Sequence, residues 1–132
     1  SDALALDIYT PGATRDTYQH LQDLCRAIVK KGFPCIVDAT FLQRSVRGVF
    51  LALGQELGVP VLILDCRAST ACIAERLRLR EQQQDDASEA GVDVMQLQLT
   101  GSESFSPREQ QSVLAIDTEQ AFDASLIRRR IR

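Results

Sequence analysis

The chain has 132 residues, of which 45% are hydrophobic and 25% are charged, and its formal net charge is -3. That length gives one domain with a single core, and the charge balance excludes the global basic field of a nonspecific nucleic-acid binder. No apolar stretch approaches the roughly 20 residues of a membrane span, and the sequence does not open on a basic-then-apolar signal pattern, so we expect a cytoplasmic protein.

The cysteines and the histidine give little indication of a metal site. Cys25, Cys35, Cys66 and Cys72 form no C-x-x-C pair. This spacing favours reduced cysteines used as small buried hydrophobic residues over a disulfide pair or a metal site. The single histidine, His20, falls on a predicted helix and is not expected to be catalytic, so zinc chemistry has no support.

The first predicted element is a helix that begins at Thr10 and Pro11. Threonine is a good N-cap, and proline at the first helical position loses no hydrogen bond. Gly32, after Lys30 and Lys31, predicts the helix end. The inward positions at helical spacing are Tyr18, Leu21, Leu24, Cys25 and Ile28.

Residues 33–41 are a short apolar run that ends in a carboxylate and a hydroxyl. Ile36 and Val37 are β-branched, and helical patterns lie on both sides, which predicts a buried strand of a parallel sheet. In open α/β sheets, ligands bind at the carboxyl ends of the strands, because the loops open into a crevice there. Asp38 and Thr40 are therefore candidate site residues.

Two later runs repeat this pattern. A second amphipathic helix, closed by Gly58, precedes a predicted strand at 59–65 that ends in Asp65, and another at 112–117 ends in Asp117. Helices between strands predict parallel pairing through right-handed crossovers. The predicted fold class is therefore α/β, a three-layer parallel sheet with flanking helices, and its three strand-end carboxylates suggest one functional edge.

The segment between the last two strands is more polar. A third helix begins at Ser69 and becomes polar over 81–86, so that part will not bury a core face. Ser88 is predicted to cap a short helix, and Ser106 to Glu109, with proline second, has the form of a capping box. The inward positions of the short helix are Val92, Met95 and Leu99.

A final helix is predicted after the last strand. Phe122, Leu126 and Ile127 are expected to face inward, and the arginines from Arg128 to Arg132 give the helix a cationic end. Positive charge there complements the negative pole of the helix dipole, an interpretation that we favour over contact with nucleic acid.

Taken in order, these segments resemble a known family. The quoted stretches are "YTPGATRDTY", "PCIVDATF", "VPVLILDCRA", "ERLRLR", "DDASEAGVDVMQLQL" and "VLAIDT". They resemble the later part of bacterial P-loop kinase-like ATPases of the AAA type, in the neighbourhood of zeta toxins and polynucleotide kinases. The resemblance covers about residues 8–118. It implies that residues 1–132 are a single domain, the C-terminal part of a partial P-loop NTPase (kinase-like) fold.

The family's phosphate-binding loop, G-x-x-x-x-G-K-[ST], holds the nucleotide phosphates and a magnesium ligand, and no such motif occurs in the 132 residues. We therefore expect either a part of a longer polypeptide or a degenerate relative. The cofactors that the resemblance implies, ATP and Mg²⁺, would depend on a loop supplied from elsewhere.

The resemblance also implies roles for individual residues. Asp38 matches the carboxylate that holds magnesium or its water, and Thr40 would face the acceptor. Arg76 and Arg80 match the "ER-x-x-x-R" pattern at the start of a mobile lid, here 81–105, where guanidinium groups would neutralise phosphoryl charge. The cofactor-binding pair, matching the "DT" near the adenine, is Asp117 and Thr118.

Structural interpretations of the same residues stay open. Asp38 would equally serve to cap a loop or the next helix. Arg76 and Arg80, four residues apart on one helix face, would equally pair with Glu75 or Glu81 on a solvated surface.

Three functions are compatible with this sequence. The leading one is the C-terminal part of an ATP-dependent phosphotransferase acting on a hydroxyl of a small molecule or nucleotide, inactive alone without the phosphate-binding loop. The second is a noncatalytic interaction domain, in which a homodimer partner or an upstream domain covers an open sheet edge. The third, a nucleic-acid module using Arg128 to Arg132, is weaker because aromatic residues are few.

Overall fold

The computed structural model describes residues 11–83 and 101–131, which divide between two compact units. The described part of the first unit is 11–41 and 45–60, and that of the second is 42–44, 61–83 and 101–131. Among these residues, no helix has both the length and the apolar character needed to cross a membrane.

The described part of the first unit begins with helix α1, Pro11–Lys30. It ends as predicted: Gly32 has a φ of 89°, which suits a residue without a side chain, and its N–H donates to the Val29 carbonyl at 2.9 Å. The Phe33 N–H donates to the Ile28 carbonyl at 3.3 Å, so the chain reverses direction here. The predicted N-cap, Thr10, precedes the first residue that the structure describes.

Helix α2, Arg44–Leu57, also follows the predicted pattern, and Gly58 closes it with a φ of 69°. Leu53 is 4% exposed. Among the described residues, it is the one large apolar side chain that is buried. An ion pair between Arg26 and Glu56 joins α2 to α1.

The predicted strand at 33–41 is wrong. These residues have no regular secondary structure; Phe33 is 65% exposed and Ile36 is 91% exposed. A strand exists only when a neighbour accepts and donates its backbone hydrogen bonds. Within the described ranges, residues 34–40 have no backbone partner of this kind. The β-branched pattern was therefore not sufficient for a strand.

The described residues of the second unit include two parallel strands, β1 at Ile63–Arg67 and β2 at Val113–Asp117. The second strand lies where it was predicted, but the first lies further along than 59–65. The reason is local: the Val59 N–H is used to close α2, by donating to the Gly54 carbonyl at 3.0 Å, and Pro60 has no N–H to donate.

The register of the two strands runs from Ile63 opposite Val113 to Arg67 opposite Asp117. Asp65 therefore lies within β1, opposite Ala115, and not at the strand end. The proposed common edge of three strand-end carboxylates is not formed, because Asp38 follows no strand and Asp65 precedes the end of its own.

Helix α3, Thr70–Gln83, follows β1, and the short helix α4, Pro107–Gln110, precedes β2. The capping box before β2 is confirmed: the Ser106 hydroxyl accepts from the Glu109 N–H at 3.2 Å, and Glu109 Oε1 accepts from the Ser106 N–H at 2.9 Å. Glu109 is only 5% exposed, so this cap is buried.

The final helix, α5, is short: Ser125–Arg130. Asp123 accepts hydrogen bonds from the Ser125 hydroxyl at 2.7 Å and the Ser125 N–H at 3.0 Å, which lower the pKa of the Asp123 carboxyl. Phe122 therefore precedes the helix and is 62% exposed, and Leu126 is 42% exposed, so the prediction that they face inward is wrong. Ile127 is half-buried, as expected.

The structure supports α/β architecture with a small parallel sheet of two strands and flanking helices, and it does not confirm a three-layer sheet. Most of the predicted lid, 81–105, and the helix predicted from Ser88 fall on residues 84–100, outside the described part of the chain. Residues 81–83 continue α3.

Candidate functional site

The carboxyl ends of β1 and β2 lie together because the strands are parallel. Beyond the last register pair, the Thr118 N–H donates to the Arg67 carbonyl at 2.8 Å, and the Thr118 hydroxyl donates to the same carbonyl at 2.9 Å. These bonds continue the strand pairing by one residue. They hold Thr118 at the end of the sheet, where a parallel α/β fold places its ligand-binding loops.

Arg76, on α3, reaches this strand end. Its Nη1 donates to the Thr118 hydroxyl oxygen at 2.8 Å, and its Nη2 donates to the Thr118 carbonyl at 2.9 Å. The planar guanidinium thus bonds two oxygens of one residue. Arg76 and Thr118, which were predicted as site residues separately and lie 42 positions apart, are therefore in direct contact.

Glu119 ties the start of α3 to the same loop. Its carboxylate accepts from the Ser69 N–H at 3.0 Å and from the Ser69 hydroxyl at 3.3 Å. The Ser69 hydroxyl in turn accepts from the Cys72 N–H at 3.1 Å, so Ser69 caps α3. Sequence reasoning predicted the helix start at Ser69 but missed Glu119, since no short-range pattern links residues 50 positions apart.

Asp117 is exposed, and its Oδ1 accepts from the Glu119 N–H at 2.9 Å. This bond bends the backbone after β2. Asp117 and Glu119 border an open depression of about 410 Å³, whose other lining residues are Arg67, Ala68, Ala115 and Ile116. The lining of the depression therefore combines two carboxylates and one guanidinium with three apolar residues.

The second predicted arginine, Arg80, is exposed on α3. The alternative interpretation, in which Arg76 or Arg80 pairs with Glu75 or Glu81 on a solvated surface, does not hold for Glu75, because Glu75 pairs with Arg78, whose Nη2 lies 2.6 Å from Glu75 Oε1. The hydrogen bond from Arg78 lowers the pKa of the Glu75 carboxyl, and the same bond raises the pKa of Arg78. Arg76 is thereby left to bond Thr118, and a catalytic role for Arg80 stays a prediction.

Asp38 and Thr40 lie in the first unit, on the irregular segment, and both are exposed. The Tyr18 hydroxyl, on α1, lies 3.3 Å from the Thr40 hydroxyl and accepts from the Phe41 N–H at 3.1 Å. The Phe41 carbonyl accepts from Arg47 Nη1 at 2.8 Å. Both backbone groups of Phe41 are therefore bonded to side chains of the flanking helices.

Phe41 has a φ of 48°, a left-handed conformation that is rare for an aromatic residue. Its ring packs 5.4 Å from Tyr18 and 5.1 Å from Phe50, the latter edge-on at 89°. Arg47, 4% exposed, is buried beneath it. Strained residues held in this way are frequent at functional sites, and Phe41 lies three positions after Asp38.

Tyr18 and Arg47 are the residues that sequence reasoning missed as supports of this segment. Helical spacing identified Tyr18 as an inward position but gave no sign that its hydroxyl binds a loop. A charged residue beside the apolar stripe of α2 is ordinarily assigned to solvent, so nothing in the sequence marked Arg47 as buried.

The predicted role of Asp38 requires a bound metal ion. Among the described residues, no cluster of three or more His, Cys, Asp or Glu side chains is arranged to hold one. Mg²⁺ bound together with nucleotide phosphates takes only one or two carboxylates from the protein, so a single exposed Asp38 fits that use and does not fit a site made of protein ligands alone.

A family model described as an AAA domain matches residues 3–104. The search of curated proteins found no match, and the search of solved structures found none. The matched range includes Asp38, Thr40 and both predicted arginines, and it stops before Asp117.

Proposed function

We propose, from the premise that this chain belongs to the AAA domain family, that it is part of an ATP-dependent phosphotransferase. AAA domains of this type are P-loop NTPase-like and bind nucleotides. The proposed reaction moves the γ-phosphoryl group of ATP to a hydroxyl of a small molecule or nucleotide. The proposed relatives within the family are the kinase-like members near zeta toxins and polynucleotide kinases.

One observation carries the proposal: the bidentate contact between Arg76 and Thr118. It fixes a guanidinium at the carboxyl end of the sheet while using only some of its N–H donors. The remaining donors are available to phosphate oxygens, and a guanidinium whose position is already fixed needs no reorganisation when negative charge develops.

The other site residues take roles compatible with their exposure. Asp38 would hold Mg²⁺ or its water, Thr40 would face the acceptor hydroxyl, and Asp117 with Thr118 would border the adenine. Arg80, one helical turn beyond Arg76, would add charge from the lid. Bound ATP supplies the phosphoryl group, and Mg²⁺ neutralises part of its charge.

The proposal requires a phosphate-binding loop that the 132 residues do not contain. The backbone amides of such a loop make most of the phosphate contacts in P-loop proteins. We therefore expect this chain alone to bind ATP weakly and to transfer no phosphoryl group. The native polypeptide that carries the chain, captured from its source with an antibody raised against these residues, is the species to assay.

The test compares Arg76→Ala with Arg78→Ala in that native polypeptide. Both variants remove one positive charge from α3, but Arg78 pairs with Glu75 and does not reach the strand end. Hydrolysis of ATP with water as acceptor is measured, since it needs no knowledge of the true acceptor. We expect Arg76→Ala to lower kcat about 10²-fold and Arg78→Ala to leave it unchanged. Equal effects would overturn the role given to Arg76.

A second candidate is a noncatalytic interaction domain that forms a homodimer. Phe33 and Ile36, 65% and 91% exposed, favour it because large apolar side chains at such exposure often mark contact surfaces. Sedimentation velocity of the chain at rising concentration would then show a dimer that Ile36→Asp abolishes. A monomer at every concentration removes this candidate and leaves the phosphotransferase proposal intact.

A further inference from the structure

The start of α3 is capped by two residues from different parts of the chain. Ser69 supplies the hydroxyl that accepts from the Cys72 N–H at 3.1 Å, the ordinary bond of an N-cap. The Glu119 carboxylate, 50 positions after Ser69, accepts from the Ser69 N–H at 3.0 Å and from the Ser69 hydroxyl at 3.3 Å. These bonds satisfy two N–H groups for which the helix itself offers no acceptor.

This arrangement is a capping box whose acidic member comes from outside the helix. In an ordinary box, as at Ser106 and Glu109, the residue three positions after the cap returns its carboxylate to the N–H of the cap residue. The corresponding residue of α3 is Cys72, and the first turn of α3 contains no acidic residue. Glu119 takes that place, and its negative charge lies at the positive pole of the helix dipole.

Helix α3 is thereby attached to the loop after β2 at two points. Ser69 and Arg76 are seven residues apart in the sequence, which puts them on the same face of α3, roughly 10 Å apart along its axis. The first contacts Glu119. The second contacts the preceding residue of the loop, Thr118, at 2.8 and 2.9 Å. A helix held at one point can turn about that point, whereas two contacts on one face restrict both its direction and its rotation.

We propose that Glu119 is a positioning residue for Arg76: its bonds to Ser69 hold the start of α3 so that the Arg76 guanidinium meets Thr118. The inference rests on the proposed function for the chemical role of Arg76, but not for its placement. Without the carboxylate, the Ser69 N–H loses its acceptor, and the first turn of α3 is free to fray or tilt. Arg76, two turns further on, would then lie away from Thr118 part of the time, and its charge would be less well placed for phosphate oxygens.

The test uses the native polypeptide and compares Glu119→Ala with Asp123→Ala. The control is closely matched, because Asp123 also accepts from the N–H and the hydroxyl of one serine, Ser125, but does so at the start of α5. Hydrolysis of ATP with water as acceptor is measured. We expect Glu119→Ala to lower kcat about 10-fold, less than Arg76→Ala does, because the guanidinium itself is still present. Asp123→Ala should leave kcat unchanged.

Two further variants separate positioning from other roles of Glu119. If Glu119 acts through Arg76, adding Glu119→Ala to Arg76→Ala should cause no further loss of kcat. A second loss of about 10-fold in that background would overturn the proposal, since Glu119 would then act independently of Arg76. Glu119→Gln keeps an oxygen that can accept from the Ser69 N–H and should retain most of the rate that alanine loses. A loss as large as that of Glu119→Ala would overturn the role given to this bond.

A second readout is independent of catalysis. The exchange rate of the Arg76 Nη protons reports whether the guanidinium stays bonded to Thr118. It is measured by NMR on the arginine-labelled native polypeptide, and the signals are assigned by their loss in Arg76→Ala. We expect faster exchange in Glu119→Ala and not in Asp123→Ala.

The two readouts distinguish failure of this inference from failure of the proposed function. Unchanged exchange of the Arg76 protons in Glu119→Ala would overturn the positioning role, whatever the rates of hydrolysis. If Arg76→Ala leaves hydrolysis unchanged, the catalytic role proposed for Arg76 fails, and the exchange rates still decide whether Glu119 places its side chain.

Discussion

Two polar segments of this protein, 38–41 and 117–119, have similar sequences and are held in different ways. Each contains an aspartate followed by a threonine within two residues, and each aspartate was expected at the carboxyl end of a buried strand. The second does follow a strand, and the paired backbone of β1 fixes Thr118. The first follows no strand and is held at Phe41, by a tyrosine hydroxyl and a buried arginine.

This difference shows that strand pairing fixes the positions of more residues than anchoring by side chains does. Pairing fixes the backbone through several residues, so that a side chain 42 positions away, Arg76, finds a fixed partner. Anchoring at Phe41 fixes one residue, and Asp38, three positions earlier, stays exposed on irregular chain. Substitutions of the side chains that hold Phe41 and substitutions of Thr118 should therefore differ in how much they lower the free energy of unfolding.

The largest effect on stability is expected for Arg47→Met. The substitution removes a buried charged donor from the Phe41 carbonyl, and a bond of this type contributes about 2 kcal/mol. Urea unfolding followed by tyrosine fluorescence reports on the first unit, because the chain has no tryptophan and its tyrosines are Tyr9 and Tyr18. Arg15→Met, at an exposed position of α1, is the control and should cost less than about 0.5 kcal/mol. Equal losses would show that Arg47 does not anchor the segment.

Tyr18→Phe should cost about 1 kcal/mol, since it keeps the ring contact with Phe41 but removes the oxygen that accepts the Phe41 N–H. Thr40→Val removes only the longer hydroxyl contact at 3.3 Å and should cost less. Urea unfolding followed by circular dichroism gives both values. If Thr40→Val were the more destabilising, the anchor would have to be reassigned from Phe41 to Thr40.

Thr118→Val should have a smaller effect, below about 1 kcal/mol, because the bonds that it removes are partly exposed to water. The local effect should be clear nonetheless: the Arg76 side chain loses one of its two acceptors, and the exchange rate of its Nη protons, measured by NMR, reports that loss. Thr118→Ser retains the hydroxyl and should preserve the slow exchange. Fast exchange in Thr118→Ser as well would contradict the role given to the hydroxyl, because that variant retains it.

The smallest predicted effect is on the pH dependence of the rate at which the Cys25 thiol is alkylated. Because burial and the contact with Cys35 raise its pKa above the usual thiol value of 9.0, alkylation by iodoacetamide at neutral pH should be slower at Cys25 than at the exposed Cys66. The difference should narrow as pH rises through the raised pKa. The folded state prefers the protonated thiol, so its small stabilisation is complete below pH 9 and is lost above it. Equal rates at neutral pH would contradict the raised pKa.

The elements that sequence predicted well are those whose signals are local. Proline at the start of α1, glycines after α1 and α2, and the Ser106–Glu109 capping box each act within a few residues, and each occurs as expected. The strand at 33–41 failed because a strand depends on a neighbour that its own residues do not specify. Strand β1 was displaced because the closure of α2 and Pro60 take up the residues before it.

The candidate site was predictable in part for the same reason. The resemblance named Arg76 and Thr118, and the fold puts them in contact. It did not name Glu119 or Tyr18, whose partners lie 50 and 23 positions away and follow no motif. Buried Arg47 contradicts the usual preference of arginine for solvent, so only packing reveals it.

The register of the sheet also affects how this protein is made. Each residue of β1 pairs with one 50 positions later, as Ile63 does with Val113. A ribosome adding on the order of 10 residues per second completes β1 about 5 s before β2 exists. The α helices that precede β1 need only local contacts and form far faster than that. During those seconds the edge of β1 that later pairs with β2 is open, and unpaired backbone groups of this kind are accessible to a neighbouring nascent chain or a chaperone.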